Sequence, residues 1–274
     1  MSEHPIVIVG GAGKTGGRVE ARLRARGFAT RPVSRSTNIP FDWNRPETWP
    51  AAIDGASKAY VTFQPDLSVG GASEAIAKLA ALARDEGLEQ IVLLSGRGEP
   101  GAQRAEAALQ ASGVPWTIVR ASWFNQNFSE GYLAEGILAG ELALPAGAVA
   151  EPFVDAEDIA DVVAAALTDP RHANRLYEVT GPKALTFAEA VETIAQAVGR
   201  PIRYKQISAD AFAADMRRAG VPGHIVALLK DLFTVVLDGR NCQVAHGVGE
   251  VLDRPARDFG DYARAAAAAG SWRI

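Results

Sequence analysis

The chain contains one cysteine, Cys242, and no large excess of charge of either sign. A single cysteine forms no intrachain disulfide and cannot build a Cys/His zinc cluster, so no metal site is predicted. The formal net charge of −4 gives no electrostatic reason to expect a nucleic acid or an anionic membrane as partner. No apolar run is long enough to cross a bilayer, and the start MSEHP lacks the pattern of a secretory signal. We therefore expect a cytoplasmic protein.

What is present is an alternation of strand-like and helix-like segments in a chain of 274 residues. The predicted strands are 6–9, 29–34, 59–63, 90–95 and 116–120, and the helices between them are 15–26, 48–53, 72–85 and 103–111. Strands that alternate with helices predict an α/β fold with a parallel sheet and right-handed crossovers. The expected architecture is a doubly wound sheet.

The alternation of strands and helices becomes less regular after Arg120. Helices are predicted at 125–140, 155–167 and 258–269, and strands at 176–180 and 202–207. We expect residues 1–181 to form the doubly wound domain. We expect residues 182–274 to form a smaller, mainly helical segment that covers the ligand and builds most of a substrate pocket.

The most informative stretch is IVIVGGAGKTGGRV, residues 6–19, which places five glycines between a strand and a helix. Gly10 permits a tight turn, Gly13 lets a diphosphate approach the backbone, and Gly16 lets the helix pack on the strand. The start of a helix attracts phosphate groups. The pattern predicts a dinucleotide site; the other interpretation is a glycine-rich turn that binds nothing. A phosphate-loop NTPase is excluded, because only two residues separate Gly10 from Gly13.

The choice of dinucleotide is often made at the end of the second strand. That strand ends here in Ser34 and Arg35, with no acid to bind a ribose hydroxyl. The guanidinium of Arg35 can grip a 2′-phosphate, and Lys14 and Thr15 in the glycine turn complete the predicted cofactor site. We predict NADP(H) in preference to NAD(H). The alternative is that Arg35 is an ordinary solvated arginine.

These motifs together resemble the NmrA-like branch of the atypical short-chain dehydrogenase/reductase superfamily. The resemblance covers the whole chain and rests on GGAGKTGGRV, the strand ending in Ser34 and Arg35, QIVLLSG, SGVPWTIVRASWFNQNF and PFVDAEDIADV. GKTG, FDW, LYEVTGPKALTFAEA and LDGRN further resemble bacterial relatives of the ergot-alkaloid reductases, of the agroclavine and festuclavine dehydrogenase type. NADPH:quinone oxidoreductases of the NmrA-like kind are also similar. The resemblance implies a Rossmann-type fold, NAD(P)H, a small aromatic or alkaloid-like substrate, and a monomer or homodimer.

The wider superfamily usually carries a tyrosine four residues before a lysine, which lowers the pKa of the tyrosine for proton transfer. The residues four positions after the tyrosines are Gln64, Gly136, Gly181, Ser208 and Ala266. The pair is therefore absent from this chain. A strongly electrophilic acceptor can react without it, because placing the acceptor beside the nicotinamide supplies about 7–11 kcal/mol.

Candidate site residues follow from the predicted sheet, since ligands lie past the carboxyl ends of its strands. Phe63, Gln64 and Pro65 end the third strand and are expected beside the ribose and diphosphate of the cofactor. Ser95 and Gly96 end the fourth strand and are expected near the nicotinamide ribose. Ser95 either bonds a substrate oxygen as a catalytic group or merely caps the strand end.

The segment ASWFNQNF follows the fifth strand. Trp123, Phe124 and Phe128 are predicted to form the apolar wall of a substrate pocket. Asn125 and Asn127 are candidates to orient the nicotinamide amide or the substrate, with Asn127 as a second catalytic candidate. Apolar walls with a few polar groups are typical of small-molecule sites. The alternative is ordinary core aromatics with a helix cap at Asn125.

The sequence therefore predicts an NADPH-dependent oxidoreductase that transfers hydride to an iminium or imine, a quinone or an enone. A non-catalytic NADP(H)-sensing regulator that acts through a protein partner stays open as the alternative. A third possibility is an isomerase or epimerase that keeps its nicotinamide bound.

Overall fold

The computed structural model describes residues 4–273. Its strands are β1 (Ile6–Val9), β2 (Thr30–Val33), β3 (Lys58–Val61), β4 (Gln90–Gly96), β5 (Trp116–Ala121), β6 (Glu141–Leu144), β7 (Ala150–Glu151), β8 (Arg175–Val179), β9 (Leu185–Thr186) and β10 (Arg203–Gln206). Its α-helices are α1 (Gly16–Ala25), α2 (Trp49–Ile53), α3 (Ala72–Asp85), α4 (Pro100–Gln110), α5 (Ala134–Ala139), α6 (Ala156–Thr168), α7 (Phe187–Val198), α8 (Ala209–Arg218), α9 (Gly223–Asp231), α10 (Gly247–Leu252) and α11 (Phe259–Ala268). None of these helices is both long and apolar enough to cross a membrane.

Six strands form one parallel sheet in the order β2-β1-β3-β4-β5-β8. The chain runs outward from β1 to β2, then returns to β3 on the other side of β1. This reversal between β1 and β3 is the switch point of the sheet, the place where open α/β sheets hold ligands. The α/β prediction is confirmed, and the five strands predicted in the first 121 residues are all present.

The central strands are buried on both faces, which explains their apolar β-branched sequences. Val7 and Val9 belong to the core that β1 shares with α3 and α4. Ile8, between them, is equally buried but lies outside that cluster. Alternate side chains of one strand therefore serve opposite faces of the sheet. Helix α1 packs against α6, where Arg22 pairs with Glu157 at 2.5 Å.

The chain divides into two compact units. Unit 1 contains residues 4–121, 156–179 and 247–254, and unit 2 contains the remaining described residues. The sequence placed a single boundary at residue 181, whereas the chain passes between the units several times. Residues 247–254 belong to unit 1 because Gly247 lies directly against the backbone of Glu178. Residues 122–155 belong to unit 2, in which β6 pairs with β10.

Unit 2 departs from the sequence prediction in its first segment. The predicted helix 125–140 is instead a 3-10 turn at Asn125–Phe128 followed by the short α5. Tertiary pairing accompanies this change: Asn125 N donates to Val154 O at 2.8 Å, and Val154 N donates to Trp123 O at 2.8 Å. Strands β6, β7 and β9 were not predicted. They are two to four residues long, and such short strands depend on their pairing partners rather than on local propensity.

Candidate functional site

The turn between β1 and α1 has a backbone that favours glycine. Gly10 adopts a φ of +81°, in the left-handed region that residues with a side chain avoid. Gly13 N donates to Gly10 O at 2.8 Å, and a methyl group on Gly16 would overlap that same oxygen. A methyl group on Gly13 would meet only Gly10 O, at 3.1 Å, among the described atoms. The outer side of the turn can therefore admit a diphosphate to the start of α1.

This turn lies at the switch point of the sheet. Thr62, the residue after β3, donates from Oγ1 to Val9 O at 3.0 Å. A methyl group on Gly10 would overlap the same hydroxyl. Trp43 Nε1 donates to Thr62 O at 3.2 Å. The ends of β1 and β3 are thus held together at the place where the topology positions a ligand.

Thr15 anchors α1, while Lys14 lies half-exposed on the turn. Tyr60 OH donates to Thr15 Oγ1 at 2.9 Å, and both side chains are buried. Burial raises the pKa of Tyr60, so the phenol keeps its proton and donates it to this hydrogen bond. The Thr15 hydroxyl therefore helps to fix the start of α1 against β3.

The loop after β2 places an arginine near the glycine turn. Gly10 N donates to Val33 O at 3.0 Å, which holds the end of β2 beside the turn. Ser34 Oγ accepts from Ser36 N at 3.3 Å and shapes the next bend. Arg35 is exposed, and within residues 4–273 it makes no hydrogen bond or ion pair. Its guanidinium is therefore available to an anionic ligand.

The loop after β3 continues along the same edge. The ring of Phe63 lies 4.5 Å from the ring of Trp43, measured between centroids, and both pack against the core of unit 1. Gln64 and Pro65 are exposed and are joined by a cis peptide bond. Phe63 thus anchors the loop, and the two residues after it form its outer surface.

Ser95, at the end of β4, belongs to a network of charged groups across three strands. Ser95, Arg120 and Glu178 are paired in register on β4, β5 and β8. Ser95 Oγ donates to Glu106 Oε1 at 2.5 Å, and Arg120 bonds both Glu106, at 3.0 Å, and Glu178, at 2.9 Å. Arg97 reaches Glu178 at 3.0 Å. The Ser95 hydroxyl donates to a carboxylate of α4, and Arg120 links that carboxylate to Glu178 on β8.

Sequence reasoning missed Glu99, which immediately precedes α4. Glu99 is 9% exposed, and its carboxyl lies on Gly96 so closely that a methyl group there would overlap it. Burial, followed by the nearby Asp66 and Glu106 carboxylates, raises the pKa of Glu99 to about 9. Glu99 is therefore a neutral acid at pH 7. Its position in SGRGEP, between a strand end and a helix, was the available signal, but its burial could not be read from the sequence.

The aromatic residues after β5 lie in unit 2. Phe128 is fully buried, with its ring 5.5 Å from those of both Phe153 and Phe259. The ring of Trp123 is only partly buried and lies 5.0 Å from that of Phe233. Phe128 is thus a core residue of unit 2, whereas Trp123 retains an accessible part.

Asn125 and Asn127 occupy the 3-10 turn beside these aromatics. Phe124 forms an isolated parallel bridge with Val154, and Asn127 N donates to Phe124 O at 3.0 Å. Asn125 is fully buried, and neither atom of its side-chain amide has a hydrogen-bond partner in the described chain. Asn125 therefore does not act as a helix cap. An unsatisfied buried amide costs about 1–3 kcal/mol.

Parallel pairing brings the predicted cofactor residues of unit 1 to one edge. Residues 10–16 follow β1, residues 34–35 follow β2, residues 63–65 lie just beyond β3, and residues 95–96 end β4. The carboxyl ends of parallel strands meet at the same side of a sheet. The substrate candidates 123–128 belong to unit 2.

Comparison with known proteins agrees with this geometry. Residues 103–254 match the NmrA-like family, and residues 10–170 match an NAD(P)H-binding family. The chain is 32% identical to an NAD(P)H azoreductase of Xenophilus azovorans, over 96% of this chain and 98% of that protein. It is 26% identical to an agroclavine dehydrogenase of Claviceps fusiformis, over 94% and 95% of the two chains.

A solved structure shows the same fold at lower identity. The NADPH-dependent quinone oxidoreductase of Escherichia coli, complexed with NADPH, superposes with a TM-score of 0.80 at 19% identity. The superposition covers 94% of this chain and 98% of that one. The glycine turn at the switch point, the two family matches and the full-length relatives lead to one conclusion: the chain belongs to the NmrA-like family of NAD(P)H-binding proteins.

Proposed function

We propose that this protein is an NADPH-dependent reductase of a small, electrophilic acceptor: an iminium or imine, an azo compound, a quinone or an enone. The observation that carries the proposal is the glycine turn at the β1–β3 switch point with the unpaired Arg35 beside it. The similar azoreductase and agroclavine dehydrogenase act on N=N and alkaloid substrates by their names. Both relatives favour an electrophilic substrate that takes up hydride readily.

The residues of unit 1 fit a dinucleotide along the carboxyl edge of the sheet. In the proposed complex, Gly10, Gly13 and Gly16 admit the diphosphate to the start of α1, where Lys14 adds positive charge and Thr15 fixes the helix. The conformation of Gly10 and the open side of Gly13 support this placement.

The rest of the cofactor follows the strand order. Arg35, with Ser34, binds the 2′-phosphate, because a guanidinium matches phosphate oxygens in a two-point contact. The outer surface of residues 63–65 and the strand end at Ser95 and Gly96 flank the ribose next to the nicotinamide. The bound nicotinamide supplies the hydride. In this proposal Ser95 acts through Glu106 to hold that strand end.

The side-chain chemistry of residues 123–128 supports an aromatic acceptor. Trp123 and Phe124 are proposed to contribute apolar surface for an aromatic acceptor, and Asn127 a polar contact. Phe128 and Asn125 would support these residues from the interior of unit 2, where both are buried. Orientation then supplies most of the rate, since an electrophilic acceptor needs little further activation.

The function is tested by binding and turnover on the purified chain. NADPH and NADH are titrated by calorimetry, and NADPH oxidation is followed at the nicotinamide absorbance with a quinone, an azo dye and an iminium salt. We expect binding of NADPH and turnover of at least one acceptor. Tight binding with no turnover on any of them would instead support the cofactor-sensing regulator. Product formation without net NADPH consumption would indicate an isomerase or epimerase.

The cofactor preference is tested by Arg35→Asp. Loss of the phosphate contact and repulsion by the new carboxylate should weaken NADPH about 10–100-fold and NADH about threefold or less. Arg45→Asp is the matched control, because Arg45 is also exposed in unit 1 and is paired with Glu47. Equal losses for the two nucleotides in Arg35→Asp would contradict the placement of the 2′-phosphate.

A further inference from the structure

We propose that Glu99 is the acid that supplies a proton to acceptors that take up a proton together with the hydride, such as quinones and azo compounds. This inference rests on the proposed reductase function. It fills the role that the absent Tyr-xxx-Lys pair has in the wider superfamily. Tyr60, on β3, already donates its hydroxyl proton to Thr15 at the end of the glycine turn.

The position of Glu99 is the first argument. Gly96 ends β4, which is the strand next to β3 at the switch point. The Glu99 carboxyl folds back over Gly96, close enough to overlap a methyl group placed there. The acid therefore lies at the carboxyl edge of the sheet, on the same side as the glycine turn. This is the edge where the reacting end of the cofactor is placed.

The buried carboxyl of Glu99 is the second argument. Oε2 is buried and receives no hydrogen bond from a donor in residues 4–273, and the protonated Glu99 carboxyl shares a hydrogen bond with Asp66. Buried polar groups are nearly always paired, and each exception calls for a reason. The reason is that Glu99 holds a proton shared with Asp66, and in the proposed step this proton moves to an acceptor oxygen or nitrogen.

The third argument is the charge around Glu99. The groups that face it are Asp66, from the loop after β3, and Glu106, from α4. Glu106 is matched by Arg120 at 3.0 Å, and Asp66 accepts from Ser68 N at 2.7 Å. Neither facing group is a cation, and two carboxyl groups in contact cannot both ionise easily. Burial and these two carboxylates raise the pKa of Glu99 to about 9.

The proposed step is balanced. The acceptor gains a hydride, with its two electrons, from the reduced nicotinamide and becomes an anion at oxygen or nitrogen. The O–H bond of Glu99 then breaks, and a new O–H or N–H bond forms on the acceptor. The remaining carboxylate regains a proton from water. An iminium acceptor becomes a neutral amine on gaining hydride alone, so its reduction requires nothing from Glu99.

The central test is Glu99→Gln, which removes the proton while keeping the shape. The first readout needs no turnover: infrared titration of the wild type should show a protonated carboxyl band that persists to about pH 9 and is missing from the variant. The second is kinetic: the kcat for a quinone or an azo dye should fall about 100-fold, the usual contribution of a positioned acid. NADPH affinity and any iminium reduction should stay within about twofold. Glu89→Gln, an exposed residue just before β4, is the matched control.

The outcomes separate this inference from the proposed function. A wild type that reduces no acceptor refutes the reductase function and the inference with it, whatever the infrared band shows. An active wild type with no such band, or a Glu99→Gln variant with unchanged quinone and azo rates, overturns the inference alone. An equal loss on iminium and quinone acceptors, or a matching loss of NADPH affinity, also overturns it, because Glu99 would then support the fold or bind the cofactor.

A second variant tests the electrostatic part. Asp66→Asn removes one facing charge, so the infrared midpoint should move to lower pH, and the alkaline limit of kcat should move with it. Both shifts follow from the raised pKa that Asp66 helps to produce in Glu99. If the infrared midpoint moves while the pH profile of kcat does not, the group that limits turnover is not Glu99.

Discussion

The two compact units bury polar side chains in different ways. In unit 1, Ser95, Glu106, Arg120 and Glu178 satisfy one another along the carboxyl edge of the sheet. In unit 2, the interior is a cluster of aromatic rings. Two neutral side chains, Ser122 and Gln126, bond the buried Glu151 and Asp155, and the amide of Asn125 has no partner within the described residues. In unit 1, directional hydrogen bonds between charged side chains thus hold the strand ends at the carboxyl edge of the sheet. Unit 2 is held together mainly by apolar area and ring packing.

The largest expected effect tests the aromatic side of this comparison. Phe128→Ala removes a fully buried ring that contacts several others, so it should lower the free energy of unfolding by about 3–5 kcal/mol. Urea denaturation followed by tryptophan fluorescence measures the loss. Phe28→Ala, at a partly exposed ring, is the control and should cost clearly less. A loss below about 1 kcal/mol for Phe128→Ala would show that this cluster does not form the core of unit 2.

The charge network of unit 1 is tested by Arg120→Leu. The change leaves the nearly buried Glu106 carboxylate without its cation, and removing one partner of a buried pair costs several kcal/mol. Because the Arg120 side chain is 18% exposed, we expect about 2–4 kcal/mol. Arg171→Leu breaks a pair at an 82% exposed side chain and should leave stability unchanged. Equal effects of the two variants would mean that the edge of unit 1 is held by packing rather than by charge.

The pH dependence of stability isolates Glu99, the buried acid of unit 1. The pKa of Glu99 is raised from 4.5 to about 9, so the folded state holds a proton that the unfolded state releases. Its stabilising contribution is complete below pH 4.5 and is lost as the pH rises to about 9. The loss is at most about 1.4 kcal/mol per pH unit. The free energy of unfolding should therefore fall more steeply from pH 6 to pH 9 in the wild type than in Glu99→Gln. Parallel profiles would show that Glu99 is ionised at neutral pH.

The smallest expected effect concerns the unpaired amide of unit 2. Asn125→Leu replaces an unsatisfied buried amide by an apolar group of similar volume, and should raise the free energy of unfolding by about 1 kcal/mol. Thermal unfolding compared with the wild type measures the change. A loss of more than about 1 kcal/mol would mean that the amide is satisfied by buried water, and the contrast between the units would then be weaker.

The glycine turn shows which structural features the local sequence can predict. Gly10, Gly13 and Gly16 predicted a tight turn, and the positive φ of Gly10 and the overlap at Gly16 are properties of the backbone itself. Strand–helix alternation also sufficed for the sheet, because its central strands β1, β3 and β4 contain buried apolar runs. The proposed 2′-phosphate contact of Arg35 stays a prediction.

The residues 121–140 show where such reasoning stops. Their pattern predicted one helix, yet the segment forms a 3-10 turn and the short α5, in which Asn125 N bonds Val154 O and Phe128 packs against Phe153. Both contacts depend on a segment some thirty residues away in the chain. No local pattern encodes these contacts, since they form only after folding brings the partners together. The substrate wall stays a prediction.

The amino-acid sequence alone determined the α/β class, the order of strands and helices in the first 121 residues and the glycine turn between β1 and α1. These features depend on neighbouring residues, through hydrophobic periodicity and the absent side chain of glycine. Tertiary structure alone decided the burial of Glu99, the pairing of Ser95 with Glu106 and the division into two units. The physical reason is that burial and opposing charge are properties of an environment, and that environment is assembled from segments far apart in the chain.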